Sequence, residues 1–123
     1  MRYFWVGAAG AGGAITRYAI GLAIGSQRFP WATLLINITG SFLLGFLLTY
    51  ATERHLSPTV ATAVTVGFLG AYTTFSTFAW ESFVLGDTGR AGVAAVYVAV
   101  SVAGGLLAAW GGYELARTVS PKS

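Results

Sequence analysis

Polar side chains recur at helical spacing inside apolar stretches of the chain. Asn37 and Ser41 are four residues apart, as are Tyr97 and Ser101, so each pair shares one helix face. Together they supply amide and hydroxyl donors and almost no charge. Such donors suit a small, strongly hydrated anion, which must be held well enough to lose water and weakly enough to leave. Taken singly, each side chain is explained as well by a hydrogen bond between helices, a contact of about 0.6 kcal/mol in a membrane.

The segment 70–78 (GAYTTFSTF) has the most unusual composition. It lies within an apolar stretch, residues 59–84, that contains six threonines, and both glycine and threonine are poor helix formers. Gly70 falls near the middle of that stretch, where a break in a membrane helix is tolerated only if it is buried or lines a cavity. Such a break exposes carbonyls and amides that bind ions. The alternative is an unbroken helix whose threonines bond back to carbonyls one turn earlier.

Two phenylalanines in this segment have a possible role beyond packing. Phe75 and Phe78 are three residues apart and share a helix face. The edge of an aromatic ring carries partial positive charge, so the pair could attract an anion without a full charge that holds it too long. Packing against lipid or protein is the simpler explanation for most phenylalanine pairs in membranes.

The composition indicates an all-α integral membrane protein. Hydrophobic residues make up 55% of the chain and charged residues 9%, whereas a soluble domain is about 25% charged. The chain has no cysteine and a single His55, which excludes a disulfide scaffold and gives no case for a metal site of side chains. The sequence contains no catalytic triad, phosphate loop or carboxylate pair. A nucleic-acid partner is not expected either, because the net charge of +3 is not clustered.

Four stretches are long enough to cross a bilayer as helices, which takes about 20 apolar residues. They cover residues 3–24, 31–52, 59–84 and 91–116. We therefore expect one four-helix membrane domain over residues 1–123, with the third helix broken near the midplane. Four helices have too few faces to enclose an aqueous ion path, so a second copy of the chain is expected as a partner.

The positive charges give little information on orientation. Four lie on the side of the termini and two or three on the other: Arg2, Arg54, Arg117 and Lys122 against Arg28 and Arg90, with Arg17 nearby. This is a weak bias for the positive-inside rule. A single orientation and a dual topology, with copies inserted both ways up, are equally compatible with it.

Two ionisable residues lie near the ends of the predicted spans. Arg17 could concentrate anions in a water-filled vestibule or extend to the lipid headgroups. Glu81 lies near the end of the third span, where it could pair with an arginine or a backbone donor.

Over essentially its whole length the sequence resembles the Fluc (CrcB) family of fluoride channels. The resemblance is carried by residues 12–18 (GGAITRY), 33–45 (TLLINITGSFLLG) and 67–78 (GFLGAYTTFSTF). It implies export of cytoplasmic fluoride by passive electrodiffusion, which lowers fluoride toxicity. It also implies an antiparallel, dual-topology homodimer with two pores in the bacterial inner membrane, and a structural sodium ion at the dimer centre, with no organic cofactor.

Matching positions give the site residues that the resemblance implies. Seven are expected to line the fluoride pore: Asn37, Phe75, Ser76, Thr77, Phe78, Tyr97 and Ser101. Arg17 matches the vestibule arginine, and Glu81 and Ser41 are assigned structural roles. The sodium ion is expected on the backbone carbonyls of Gly70 and Thr73 of both chains.

The chain departs from the family pattern at two places. One turn beyond Ser101, where the family can carry a hydroxyl, this chain has Gly104 and Gly105. This leaves the outer end of the polar track undefined. Tyr72 stands where a smaller or aliphatic residue is expected.

Two other classes of function fit the sequence less well than a fluoride channel. A small four-span drug or cation exporter needs a carboxylate embedded in the membrane, and the first span has none while Glu81 lies near an end. A structural or assembly subunit would need neither Asn37 nor the segment 70–78. An enzyme is not expected, and the expected partners are fluoride, a second copy of the chain and the lipid bilayer.

Overall fold

The chain folds into long helices connected by short turns. A computed structural model describes residues 1–120, whose regular secondary structure is entirely helical. Its elements are α1 (Arg2–Ile24), α2 (Trp31–Glu53), α3 (Pro58–Thr62), a π-helix (Ala63–Leu69), α4 (Gly70–Tyr72), α5 (Phe75–Asp87) and α6 (Ala91–Val119). The predicted stretch 59–84 thus corresponds to α3, the π-helix, α4 and α5 in succession. Lys122, counted above among the positive charges, lies outside the described residues.

Turn chemistry ends the helices where the sequence predicts loops. Gly25 after α1 and Gly89 after α5 have positive φ angles of 74° and 81°, which glycine adopts without the penalty of a Cβ. Pro58 begins α3, a position where its missing N–H is not needed. The first and third loops meet at one end of the molecule, where the Arg90 guanidinium donates to the Arg28 carbonyl.

Glycines let the long helices approach closely. A Cβ on Gly45 would collide with the backbone of Ala109, and one on Gly112 would collide with the Phe42 carbonyl, so α2 and α6 pack backbone to backbone. Gly13 of α1 meets the Phe68 carbonyl of the π-helix in the same way. Small residues at such contacts are how helices associate in membranes.

The outer surface is apolar. The helices α2 and α6 are each long and apolar enough to cross a membrane, with mean hydropathy of 1.8 and 2.0. Large apolar side chains are exposed on α1 and α6, including Ile15, Leu22 and Leu106. Soluble monomers rarely expose large apolar patches, and a lipid environment accounts for these residues. The spans predicted at residues 3–24 and 59–84 stay predictions.

Candidate functional site

The helical backbone is interrupted at Thr73 and Thr74. The helix α4 ends at Tyr72 and α5 begins at Phe75, and both threonines between them have extended conformations. The π-helix just before α4 is a further irregularity of a kind found frequently at functional sites. The hydroxyl oxygen of Thr74 accepts the Thr77 amide at 3.2 Å, which caps the new helix.

Asn37 of α2 bonds to the interruption through both polar atoms of its side-chain amide. Its Nδ2 donates to the Thr74 carbonyl at 3.0 Å, and its Oδ1 accepts the Thr74 amide at 2.9 Å. This pairing satisfies both backbone groups of an extended residue, as a neighbouring strand would in a sheet. One N–H of the Asn37 amide remains for another acceptor, because the group carries two.

The same bonds release two backbone carbonyls from the helical pattern. In a regular helix the Thr74 amide would donate to Gly70, and the Thr77 amide would donate to Thr73. Here those amides bond to Asn37 Oδ1 and Thr74 Oγ1. The carbonyls of Gly70 and Thr73 lose their helical donors and are suited to coordinate a cation, as carbonyls of unwound membrane helices do. These are the two positions matched to the sodium site, so the residues present fit that ion.

A groove of about 350 Å³ opens beside the interruption and is called here the polar groove. Its wall comes from α2, the π-helix, α4, α5 and α6. Its lining includes Asn37, Ser41, Gly70, Thr73, Thr74, Phe75, Phe78 and Ser101. The structure therefore brings together four of the seven predicted pore residues and both carbonyl positions.

Ser101 is the least satisfied polar group of the groove. Its hydroxyl oxygen is buried and forms no hydrogen bond within residues 1–120. Ser41, by contrast, donates to the Asn37 carbonyl at 2.6 Å. Buried polar groups are almost always bonded, so the Ser101 hydroxyl is the group of the groove with the most capacity to bond to an ion.

The two phenylalanines of the groove differ in how firmly they are held. Their ring centroids lie 5.9 Å apart with the planes tilted by 53°. Phe78 also packs on the Tyr97 ring, with centroids 5.2 Å apart, whereas Phe75 is 78% exposed. One ring is therefore anchored by the protein and the other projects from its surface.

Three predicted pore residues lie outside the groove lining. Ser76 is exposed on α5, and Thr77 is half-buried one position further along. Tyr97 is fully buried, at 0% exposure, and its hydroxyl donates to Glu81 Oε1 at 3.1 Å. The two hydroxyls spaced four apart on α6 thus separate: Ser101 lines the groove, while Tyr97 holds Glu81 and supports Phe78.

Arg17 contacts the interruption from the side of α1. Its Nε donates to the Ala71 carbonyl at 3.1 Å. A larger cavity of about 610 Å³ lies at the end of the molecule near the first loop, and its lining includes Arg28, Arg90 and Glu81 but not Arg17. The predicted topology places Arg28 and Arg90 on the same side of the membrane. A cationic cavity on that side could have been predicted from this placement, but the sequence analysis does not include one.

The two departures from the family pattern have different surroundings. A Cβ on Gly104 would press on the Ile38 side chain at 2.9 Å, and one on Gly105 would lie 3.6 Å from Ser41 Oγ. The space of the expected hydroxyl is thus partly filled by α2. Tyr72 is buried beneath the interruption, so the larger residue is accommodated inside the protein.

Comparison with known proteins identifies the family. The family model described as CrcB-like protein, Camphor Resistance (CrcB), matches residues 4–113. A protein of Geobacillus kaustophilus named Fluoride-specific ion channel FluC 2 is 50% identical, covering 95% of this chain and 94% of its own. Fluoride-specific ion channel FluC of Acidobacterium capsulatum is 45% identical over 97% of this chain and 98% of its own. Ion channels are transport proteins and not enzymes, in agreement with the sequence-based prediction. The resemblance is therefore confirmed: the chain belongs to the CrcB family.

Proposed function

We propose that this chain is a fluoride-selective channel that exports cytoplasmic fluoride by passive electrodiffusion and so lowers fluoride toxicity. The observation that carries the proposal is the polar groove, where amide, hydroxyl and ring-edge donors converge without a lining carboxylate. The names of the relatives supply the ion. The drug or cation exporter is not supported, because these relatives are named for fluoride and Glu81 is already bonded to Tyr97.

Fluoride would exchange its water for uncharged donors in the groove. The second N–H of Asn37, the Ser101 hydroxyl and the edges of Phe75 and Phe78 are the groups that meet it. None carries a full charge, which suits binding that is strong enough for dehydration and weak enough for release. Ser76, Thr77 and Tyr97 are proposed to extend the path beyond the groove. Arg17, whose Nε donates to the Ala71 carbonyl, is proposed to draw anions toward the vestibule.

A second copy in antiparallel orientation would complete two such pores. The groove is open at the surface of one chain, so a partner is needed to exclude lipid from an ion path. The carbonyls of Gly70 and Thr73 from both chains would hold the structural sodium ion, which would add a positive field and join the two copies. This arrangement belongs in the bacterial inner membrane, with each chain crossing it four times.

Fluoride efflux from liposomes containing the purified protein tests the proposal. Fluoride release well above chloride leak is expected, and Phe75→Ile or Phe78→Ile is expected to abolish it while the dimer survives, because the ring edge is lost. The matched control is Phe83→Ile, on the exposed face of the same helix. Absence of fluoride-selective efflux by the native protein would contradict the channel, and full efflux by both variants would contradict the role of the ring edges.

A further inference from the structure

Tyr72 comes immediately before the interruption, is buried, and forms a hydrogen bond with α2. Its side chain is only 7% exposed, and its ring is stacked on Phe68, with centroids 6.0 Å apart and planes 17° apart. Its hydroxyl lies 2.9 Å from Thr39 Oγ1. Tyr72 is the last residue of α4, so this bond lies at the point where the helix stops.

The direction of the bond follows from the proton count of Thr39. The Thr39 hydroxyl has one proton, and it donates to the Leu35 carbonyl at 2.8 Å. The Tyr72 hydroxyl is therefore the donor to Thr39 Oγ1. Loss of the Thr39 hydroxyl would leave the Tyr72 O–H without this acceptor, and loss of the Tyr72 hydroxyl would remove the bond that Thr39 Oγ1 accepts.

The segment around the interruption contacts α2 through three consecutive residues. Thr74 is held by Asn37, and Tyr72 is held by Thr39, two positions further along α2. Thr73, the residue between Tyr72 and Thr74, packs against Gly40 of α2, whose missing side chain leaves room for the Thr73 methyl group and the edge of the Tyr72 ring. Three consecutive residues are thus positioned against one turn of α2 by a bond at each end and a close contact in the middle.

We propose that Tyr72 is a positioning residue for the interruption. Through its hydroxyl it holds α4 in register with α2, so that Thr74 meets Asn37 and the Thr73 carbonyl faces the polar groove. The consequence for ion flow rests on the proposed function, whereas the ordering of the interruption does not. An aliphatic residue at position 72 could fill the same space but could not form this bond.

Hydrogen–deuterium exchange across residues 70–78 tests the ordering, and liposome efflux tests the effect on fluoride. Tyr72→Phe keeps the ring and removes the donor, and Thr39→Val keeps the shape and removes the acceptor. Each is expected to raise amide exchange at the interruption by about threefold to tenfold, the factor that corresponds to one hydrogen bond. Each is expected to lower fluoride efflux while the melting temperature of the dimer changes little. The double variant is expected to match either single variant, because the two changes remove the same bond.

Three matched variants separate positioning from general weakening. Thr39→Ser keeps the acceptor and is expected to behave as the native protein. Thr49→Val is a control, since the Thr49 hydroxyl donates to the Gly45 carbonyl of its own helix, and Tyr50→Phe is the matched aromatic control. Native exchange at the interruption in both Tyr72→Phe and Thr39→Val would overturn the proposal. If exchange rises as expected but the native protein passes no fluoride, the proposed function fails and the positioning role stands.

Discussion

Two regions of this molecule differ in how their polar groups find hydrogen-bond partners among apolar helices. In the outer halves of α2 and α6 the helices are unbroken, and the hydroxyls of Thr49, Thr52 and Thr118 donate to carbonyls one turn earlier in their own helix. Around the interruption, side chains of α1 and α2 cross to another element: Arg17 to Ala71, Asn37 to Thr74 and Thr39 to Tyr72. In the first region, called here the packed region, these hydroxyls are satisfied within single helices. In the second, called here the interrupted region, the bonds form only when separate elements come together in the fold.

The difference between the two regions indicates where backbone groups are free to bind an ion. The carbonyls and amides of a regular helix bond to one another, so the hydrogen-bond donors that α2 and α6 bring to the polar groove are side chains. The interruption gives up two helical donors, and Asn37 and Thr74 take the amides instead. The carbonyls of Gly70 and Thr73 then become available at one place without an unpaired charge. We infer that the packed region supplies rigidity and the interrupted region supplies the chemistry.

Asn37→Ala is expected to have the largest effect on the interrupted region. It leaves both backbone groups of Thr74 without partners, and an unmet buried group costs about 1–3 kcal/mol. We expect fluoride efflux to fall by about 100-fold, together with faster amide exchange at residues 70–78. The control is Thr52→Val, which removes a hydroxyl that donates to the Leu48 carbonyl of the same helix. Efflux near the native rate in Asn37→Ala would show that the bridge is not needed.

Gly112→Ala tests the packed region instead. The added methyl group would meet the Phe42 carbonyl and lie 2.8 Å from the Phe46 amide nitrogen, and overpacking of this kind costs about 1–3 kcal/mol. We expect a lower melting temperature in detergent, with the fluoride selectivity of the surviving channels unchanged.

Gly7→Ala is the matched control for that variant. A Cβ on Gly7 would have no atom within 4 Å in residues 1–120, so alanine is expected to leave the melting temperature unchanged or to raise it through better helix propensity. Equal melting temperatures for Gly112→Ala and Gly7→Ala would remove the distinction between a packed and an open glycine.

Much of the fold could be predicted from the sequence because it depends on local signals. Apolar stretches bounded by glycine and proline turns place the helices within three residues of their ends in the structure. The segment 70–78 stood out by composition, since threonine and glycine weaken helices. The exact place of the interruption, at Thr73 and Thr74, was not predictable, because its bonding partners come from α2; Asn37 lies 37 residues before Thr74 in the chain.

The candidate site was predicted best where one face of one helix contributes. Asn37 and Ser41 line the groove together, as their spacing indicates. Tyr97 and Ser101 have the same spacing, yet the long tyrosine extends to Glu81 on α5. Spacing gives the direction in which a side chain leaves the helix but not the partner that it meets. The partner of Tyr72 was missed for the same reason, since no local pattern joins it to Thr39.

Ser101→Ala gives the smallest expected effect and the sharpest comparison between the two regions. The Ser101 hydroxyl lies on the regular helix α6 but faces the interruption, and it has no partner within the described residues. Its removal deletes no bond of the folded chain, so the melting temperature is expected to stay the same or to rise slightly. Fluoride efflux is expected to fall by about tenfold, the factor for one hydrogen bond to the ion. Ser82→Ala, which removes a hydroxyl bonded to the Phe78 carbonyl of its own helix, is expected to leave efflux near the native rate. A fall in stability without a fall in efflux would assign Ser101 to packing, and the chemistry would then belong to the interrupted region alone.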